Sequence, residues 1–136
     1  MKELIFFILG VAGAFIINAL GGWDAGLEAL TIFIAIDMFT GVLVATIFRS
    51  SPKTDGGAVS SGAIFKGIIK KVMILLYVAI GSELDYMLGS DFIRNAVIIA
   101  FIVSELISIT ENAGLMGVPM PSSIKKAIDV LQKKGS

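Results

Sequence analysis

Cysteine and histidine, the two residue types that carry much of the site chemistry of proteins, do not occur anywhere in the 136 residues. Without cysteine there are no disulfides, no thiolate nucleophile and no cysteine-ligated metal site. Without histidine the chain lacks the commonest metal ligand and the side chain that titrates most readily near neutral pH. The chain also shows no nucleophile–base or metal-ligand constellation, so we expect no metal site and no cofactor.

Charge is also scarce. Only 16% of the residues are charged, 56% are hydrophobic, and the mean hydropathy is +0.92. A soluble domain of this length would expose far more polar surface, whereas each membrane span needs about 20 mostly apolar residues. The composition predicts an integral membrane protein with no room for a separate soluble domain. With a formal net charge of zero, no nucleic-acid partner is expected.

Four apolar segments predict four transmembrane helices, at about residues 4–20, 27–48, 63–82 and 92–112, within a membrane domain of residues 1–114. The third segment departs most from a continuous apolar run, because Lys66, Lys70 and Lys71 interrupt its first half. Counted from Gly62 to Ile80, it is still about 28 Å long as a helix, which is enough to cross a bilayer. The fold class predicted is an all-α membrane protein.

The distribution of charge predicts the topology. The connection between segments one and two is acidic, and so is most of the connection between three and four. Basic residues collect in the second connection and in the tail: Arg49, Lys53, Lys125, Lys126, Lys133 and Lys134. Because cytoplasmic loops are enriched in Lys and Arg, both termini are expected inside, with four crossings. Three crossings would place one of the basic clusters outside.

The first segment has an alternative interpretation as a cleavable signal peptide, with Lys2 as its charged region and a cleavage site at Ala12–Ala14. Against this, Glu3 lies in the same flank and the apolar run continues beyond the small residues. The pattern favours a helix that is retained.

Charged residues inside three of the segments fall at similar depths. Asp37 stands in the middle of "TIFIAIDMFTGVLVATIF", about 18 Å from the cytoplasmic end of its helix. Lys70 and Lys71 lie about 12 to 14 Å from the same side, and Glu105 about 13 Å. Each isolated charge at the bilayer centre costs about 2.5 to 3.5 kcal/mol, so such groups usually face one another or water. We therefore predict one polar seam, which on the fourth helix includes Asn95 and Asn112.

Three roles are open for this seam. It can be a structural cluster that holds the helices in register, since pairing alone explains buried charges. It can line a pore, or act as a switch whose partners change on assembly. A proton relay is a third role, although it would require a titratable chain with access to both sides of the membrane.

Small residues recur every four positions on two helices, Gly10 and Ala14 on the first, and Gly41 and Ala45 on the second. This spacing lets helix backbones approach closely. It is compatible with a homo-oligomer and equally with packing inside one chain.

Residues 115–136 are predicted to form a basic cytoplasmic tail. Beyond Pro121, the spacing of Ile124, Ile128 and Leu131 predicts a short amphipathic helix with lysines around its other side, Lys125, Lys126, Lys133 and Lys134. Such a helix suits an anionic membrane surface. A solvated tail is the alternative.

The tracts "DMFTG", "FKGIIKKVMILLYV", "RNAVIIAFIVSELISITENAG" and "GVPMPSSIKKAIDVLQ" occur in this order over about residues 34–131. Together they resemble the toxin secretion/phage lysis holin family, found mainly in phages of Gram-positive bacteria and in toxin-exporting clostridia. The resemblance implies a protein that oligomerises in the bacterial cytoplasmic membrane and opens a lesion at a timed point. It further implies that an endolysin, or in some systems a large toxin, leaves through that lesion, and that there is no catalytic site.

Two other classes fit the same pattern. A small multidrug or ion transporter would use the intramembrane carboxylate as an exchange site and would move solutes without killing the cell. A membrane scaffold, or a regulator of another channel, would do neither.

Overall fold

The computed structural model describes residues 1–135 as five α-helices: α1 (Lys2–Ala19), α2 (Ala25–Thr46), α3 (Ser61–Leu88), α4 (Ile93–Leu115) and α5 (Ser122–Gly135). Residue 136, the end of the predicted tail, lies outside the described residues. The all-helical class is confirmed. Three helices, α1, α2 and α4, are long and apolar enough to cross a membrane, where the sequence predicted four crossings. α3 is the longest helix at 28 residues, but its charged residues keep it out of this set.

Short polar residues define the ends of two helices. The Asp24 side chain accepts a hydrogen bond from the Leu27 N–H (2.9 Å) at the start of α2, and the Ser60 hydroxyl accepts one from the Ala63 N–H (3.4 Å) at the start of α3. Both are N-caps, which satisfy backbone donors that have no partner within the helix.

α3 continues six residues beyond the predicted end at residue 82. Glu83 and Asp85 lie within this last part of the helix. Charged side chains are compatible with an α-helix, so the first of them does not mark the end of α3. The helix stops at Gly89, whose φ of 66° is in the left-handed region that glycine adopts without steric cost.

α4 is the central helix of the fold and packs against α2, α3 and α5. The core between α2, α3 and α4 consists of aliphatic side chains: Leu20, Leu27, Leu30, Ile74, Val78, Ile98 and Ile102. By contrast, α1 contains no buried residue and meets the bundle at α3. The bundle that positions the polar seam is therefore formed by α2, α3 and α4.

α3 and α4 approach each other closely at Gly81. A Cβ atom placed on Gly81 would lie 3.0 Å from the Arg94 Cα and 3.3 Å from the Arg94 backbone nitrogen. Because these are backbone atoms, they cannot give way as a flexible side chain can. Glycine at this position is what allows the two helices to pack directly backbone to backbone.

We expect Gly81→Ala to separate α3 from α4 and to lower the free energy of unfolding by about 1 to 3 kcal/mol, the usual cost of overpacking. Gly67→Ala on the same helix is the matched control, because a Cβ there meets nothing within 4 Å. That control should be neutral or stabilising by up to about 1 kcal/mol. Equilibrium unfolding in detergent micelles, followed by helical circular dichroism, measures both. Equal effects would contradict the close approach.

An intramembrane charge cluster as the candidate functional site

Three helices each contribute one charged side chain to a single contact. The Lys71 ammonium of α3 donates to Asp37 Oδ2 of α2 at 2.7 Å. It also donates to both carboxylate oxygens of Glu105 of α4, at 2.7 and 2.8 Å. We call Asp37, Lys71 and Glu105 the charge cluster. Since its members are 34 residues apart in each direction along the chain, it ties the bundle together across its middle.

Neutral polar side chains complete the coordination of Asp37. The Ser108 hydroxyl donates to Asp37 Oδ1 at 2.7 Å, and the Asn112 amide donates to the same oxygen at 3.1 Å. The Asn112 amide also donates to the Thr40 hydroxyl oxygen at 2.9 Å. Within residues 1–135, every buried side-chain nitrogen and oxygen has a hydrogen-bond partner. The polar seam is therefore fully satisfied within one chain.

Burial explains why these contacts are needed. Asp37 is 3% exposed and Glu105 2%, whereas the Lys71 side chain keeps 18% of its surface exposed. Charges taken out of water are tolerated only when they are paired and hydrogen-bonded, and removal of one partner from a buried pair costs about 3 to 5 kcal/mol. Two carboxylates share a single ammonium here, so the cluster carries a formal charge of −1 when all three groups are ionised.

A crevice leads to the cluster between α2 and α3. Its outer part is lined by the loop that joins these helices, including Ser51 and Thr54, and its inner part by Asp37 and Lys71. Between these ends the walls are mainly apolar. The partly exposed Lys71 is therefore reached through the crevice from the basic loop between α2 and α3.

The structure brings together four of the six residues predicted for the polar seam: Asp37, Lys71, Glu105 and Asn112. Lys70 is exposed on α3. Asn95 is exposed near the start of α4, where its amide donates to the Asp91 carbonyl. The prediction did not include Thr40 and Ser108. Each follows a seam carboxylate by three residues, which is one helical turn and the signal that could have identified it.

The predicted packing residues fall into two groups. Gly41 and Ala45 are part of the bundle, with Ala45 buried and a Cβ on Gly41 only 3.9 Å from the Asn112 amide nitrogen. Gly10 and Ala14 lie on α1 and are exposed, and a Cβ on Gly10 would meet nothing within 4 Å. Half of the small-residue pattern therefore serves packing inside the chain, and the other half is uncovered.

A second charged group, not predicted from the sequence, lies at the end of the bundle where α2 and α4 begin. The Arg94 guanidinium donates to Asp24 Oδ2 at 2.6 Å and to the backbone carbonyls of Leu20 and Gly22. Asp85 of α3 accepts from the backbone N–H groups of Ile93 and Arg94 at 3.0 and 2.9 Å. These contacts join the α1–α2 connection and the end of α3 to the start of α4.

The Arg94 side chain changes the acidity of its partner. Its hydrogen bond to Asp24, together with the Leu27 backbone N–H, holds the pKa of the Asp24 carboxyl below its ordinary value of 3.8. Asp24 is therefore ionised at neutral pH, and it both caps α2 and pairs with Arg94. The sequence signals that could have identified this pair are an acidic N-cap at Asp24 and an arginine in the first turn of α4.

α5 folds back along α4. Ile128 is 6% exposed, Leu131 packs against the core, and a Cβ on Gly135 would lie 3.2 Å from Ile99 Cγ2. Ile99 lies sixteen residues before Leu115, or about 24 Å along α4. α5 therefore extends along most of α4.

We expect Lys71→Ala to lower the free energy of unfolding in detergent micelles by about 3 kcal/mol, because two buried carboxylates lose their shared cation. Lys70→Ala, the adjacent and exposed lysine, is the matched control and should change it by no more than about 0.5 kcal/mol. Titration with a denaturing detergent, followed by circular dichroism, compares the two variants. A loss of the same size in both would mean that the cluster does not stabilise the bundle.

Comparison with known proteins places the chain in a family. Residues 14–133 match the model of the bacteriophage holin family. The chain is 33% identical to an uncharacterised protein of Halalkalibacterium halodurans, over 97% of this chain and 96% of that one. It is 37% identical to an uncharacterised protein of Listeria monocytogenes, over 96% and 88% of the two chains.

A phage protein is among the more distant relatives. The chain is 25% identical to a probable holin of Bacillus phage phi105, over 78% of this chain and 73% of the phage protein. No solved structure matches the chain. The family match covers most of the chain and includes all three members of the charge cluster, so this membrane protein belongs to the bacteriophage holin family.

Proposed function

We propose that the chain is a holin that oligomerises in the cytoplasmic membrane of a bacterial host. At a timed point it opens a lesion through which an endolysin, or a large toxin, leaves the cytoplasm. Family membership supports the class of function. The observation that carries the mechanism is the charge cluster, because it is a polar contact inside an apolar bundle that one chain satisfies alone.

In this proposal α3 is the fourth transmembrane helix, and both termini lie in the cytoplasm. α3 is long enough, and the charge of Lys71 near its middle is compensated by Asp37 and Glu105. Its remaining charges are separated by sign, with the basic Lys66 and Lys70 before Lys71 and the acidic Glu83 and Asp85 near the end of the helix. That polarity agrees with a cytoplasmic start and an external end.

The closed state is a chain whose polar groups are satisfied internally while much of its apolar surface faces lipid. α1 has no buried residue, so its Gly10–Ala14 face is available to another copy. As density rises, contacts between copies compete with contacts to lipid, and the crevice at Asp37 and Lys71 lets water reach the charge cluster. The equilibrium moves to the lesion only if the assembled state gains more than the closed state loses.

The basic tail provides a further interaction with the membrane. Its exposed lysines, Lys125, Lys126 and Lys134, suit the anionic lipid headgroups of the cytoplasmic leaflet. Attraction of this kind would hold the tail on the inner side until the lesion opens. The family match favours a holin over a transporter.

The direct test is inducible expression in bacteria, with membrane potential and culture density recorded in the presence and absence of a cytoplasmic endolysin. A holin should cause a delayed and abrupt loss of potential, followed by lysis only when endolysin is present. Collapse of the potential without passage of endolysin would indicate a small, ion-conducting lesion instead. Normal growth with membrane expression verified would contradict the proposal.

We expect Asp37→Asn to advance the onset of permeabilisation. The substitution removes one charge partner of Lys71 and weakens the bundle that has to rearrange, and a loss of about 1 kcal/mol changes such an equilibrium about fivefold. Asp55→Asn in the exposed α2–α3 loop is the control that makes the same chemical change away from the cluster. Onset times are compared at matched protein levels, and unchanged timing in Asp37→Asn would count against the role of the cluster.

A further inference from the structure

The crevice that leads to the charge cluster is open because α2 and α3 stand apart. Both helices pack against α4, but their backbones come near each other at few positions within residues 1–135. A Cβ on Gly67, which lines the crevice from α3, would meet nothing within 4 Å. The walls on both sides are mainly apolar or small, among them Val42, Ala45, Val59, Ala63 and Ile64. The two helices thus bound an apolar groove that the chain itself does not fill.

The length of the crevice matches the depth of one membrane leaflet. From Ser60 at its mouth to Lys71 at its base, α3 rises by about 16 Å. The hydrocarbon core of a bilayer is about 30 Å thick, so each leaflet contributes about 15 Å. In the topology proposed above, the mouth lies at the cytoplasmic surface. An acyl chain of the cytoplasmic leaflet would therefore extend along the crevice from its mouth to the charge cluster.

The base of the crevice does not require a polar ligand. The Lys71 ammonium directs its three donor contacts to Asp37 and Glu105, and the Asn112 amide donates to Asp37 and Thr40. Within residues 1–135, no buried side-chain nitrogen or oxygen lacks a hydrogen-bond partner. A polar solute would find no unpaired buried group here to replace its hydration, whereas a hydrocarbon chain loses none.

The mouth of the crevice is polar and basic. A second hollow opens beside it, between the α2–α3 loop and the start of α3, and both are lined by Lys53 and Ser60. Lys66 and Asp55 also line this hollow, so its formal net charge is +1, from two lysines and one aspartate. Neither lysine forms an ion pair in the part of the chain that the structure describes. A phosphate group is therefore attracted to this position.

We propose that the crevice and the hollow at its mouth, together called the lipid groove, bind one anionic phospholipid of the cytoplasmic leaflet. Its phosphate lies between Lys53 and Lys66, and one acyl chain extends between α2 and α3 toward the charge cluster. The bound lipid keeps water from the charge cluster in the closed state. That consequence rests on the proposed function, whereas the lipid site itself does not.

Native mass spectrometry of the purified full chain in detergent micelles counts the lipids that each chain retains. The probes are dioleoyl phosphatidylglycerol, phosphatidylcholine with the same acyl chains, and glycerol phosphate, which has none. We expect one phosphatidylglycerol per chain, bound about 30-fold more tightly than phosphatidylcholine, because each of two lysines contributes about fivefold to the attraction of an anionic headgroup. Glycerol phosphate should bind at least about tenfold more weakly than phosphatidylglycerol, because it buries no apolar surface.

One pair of variants tests the headgroup position. Lys53→Gln combined with Lys66→Gln should bind phosphatidylglycerol no more tightly than phosphatidylcholine. Lys125→Gln combined with Lys126→Gln removes the same charge from exposed positions of the tail and should leave the preference unchanged. All four lysines are exposed, so neither double variant disturbs the buried core.

A second pair of variants tests the position of the acyl chain. Gly67→Leu extends a side chain into the crevice and should weaken the retention of both phospholipids at least about tenfold, since it displaces the buried chain. Gly13→Leu makes the same change on α1, where a Cβ also meets nothing within 4 Å, and should have no effect. Circular dichroism verifies that each variant keeps its helical content.

Equal retention of phosphatidylglycerol and phosphatidylcholine by the natural chain would overturn the proposal. The same loss of preference in the tail pair as in the groove pair would overturn it too, because the attraction would then be non-specific. Dimers that Gly67→Leu abolishes, with lipid retention unchanged, would mean that a second copy occupies the crevice instead. Because the purified chain is measured in micelles, the result does not depend on permeabilisation, and failure of the lipid site is distinct from failure of the proposed function.

Discussion

One ammonium group shared by two carboxylates is the contact on which the rest of this bundle depends. Lys71 meets Asp37 and Glu105 at hydrogen-bond distance, and both acids are almost completely buried. None of the three residues could occupy its position alone, because an unpaired charge in hydrocarbon is expensive. The contact therefore determines which helices are neighbours and at what height they meet, and the aliphatic core packs in the register that it sets.

The bundle satisfies its polar groups internally but leaves much of its apolar surface uncovered. Polar groups are satisfied within one chain, through the charge cluster and its partners Ser108 and Asn112, and through Arg94 at one end of the bundle. Apolar surface is not covered in the same way, since α1 contributes nothing to the core. A single chain is thus complete in its hydrogen bonds but still exposes a full membrane helix. This combination is compatible with a stable monomer in lipid and with assembly through α1 at higher density.

Much of the seam could be predicted from depth alone. Helical rise and the positions of the loops placed Asp37, Lys71 and Glu105 at similar heights, and the structure brings them into contact. Depth does not say which of two adjacent lysines faces inward, because neighbours on a helix differ by about 100° in direction. Lys70 and Lys71 could be separated only by the position of α4. Arg94 was not predicted as a site residue, since its partners come from two loops that are far away in sequence.

By itself the sequence determined the class of protein, the helical architecture and the presence of a polar seam. These follow from composition, from apolar segments long enough to span a bilayer, and from the cost of burying charge, all of which act locally or on average along the chain. Tertiary structure alone decided that one lysine serves two acids, that Gly81 allows α3 to contact α4, and that α5 folds back along α4. Each of these depends on the direction in which a side chain or helix points relative to a distant neighbour, and direction is set by packing.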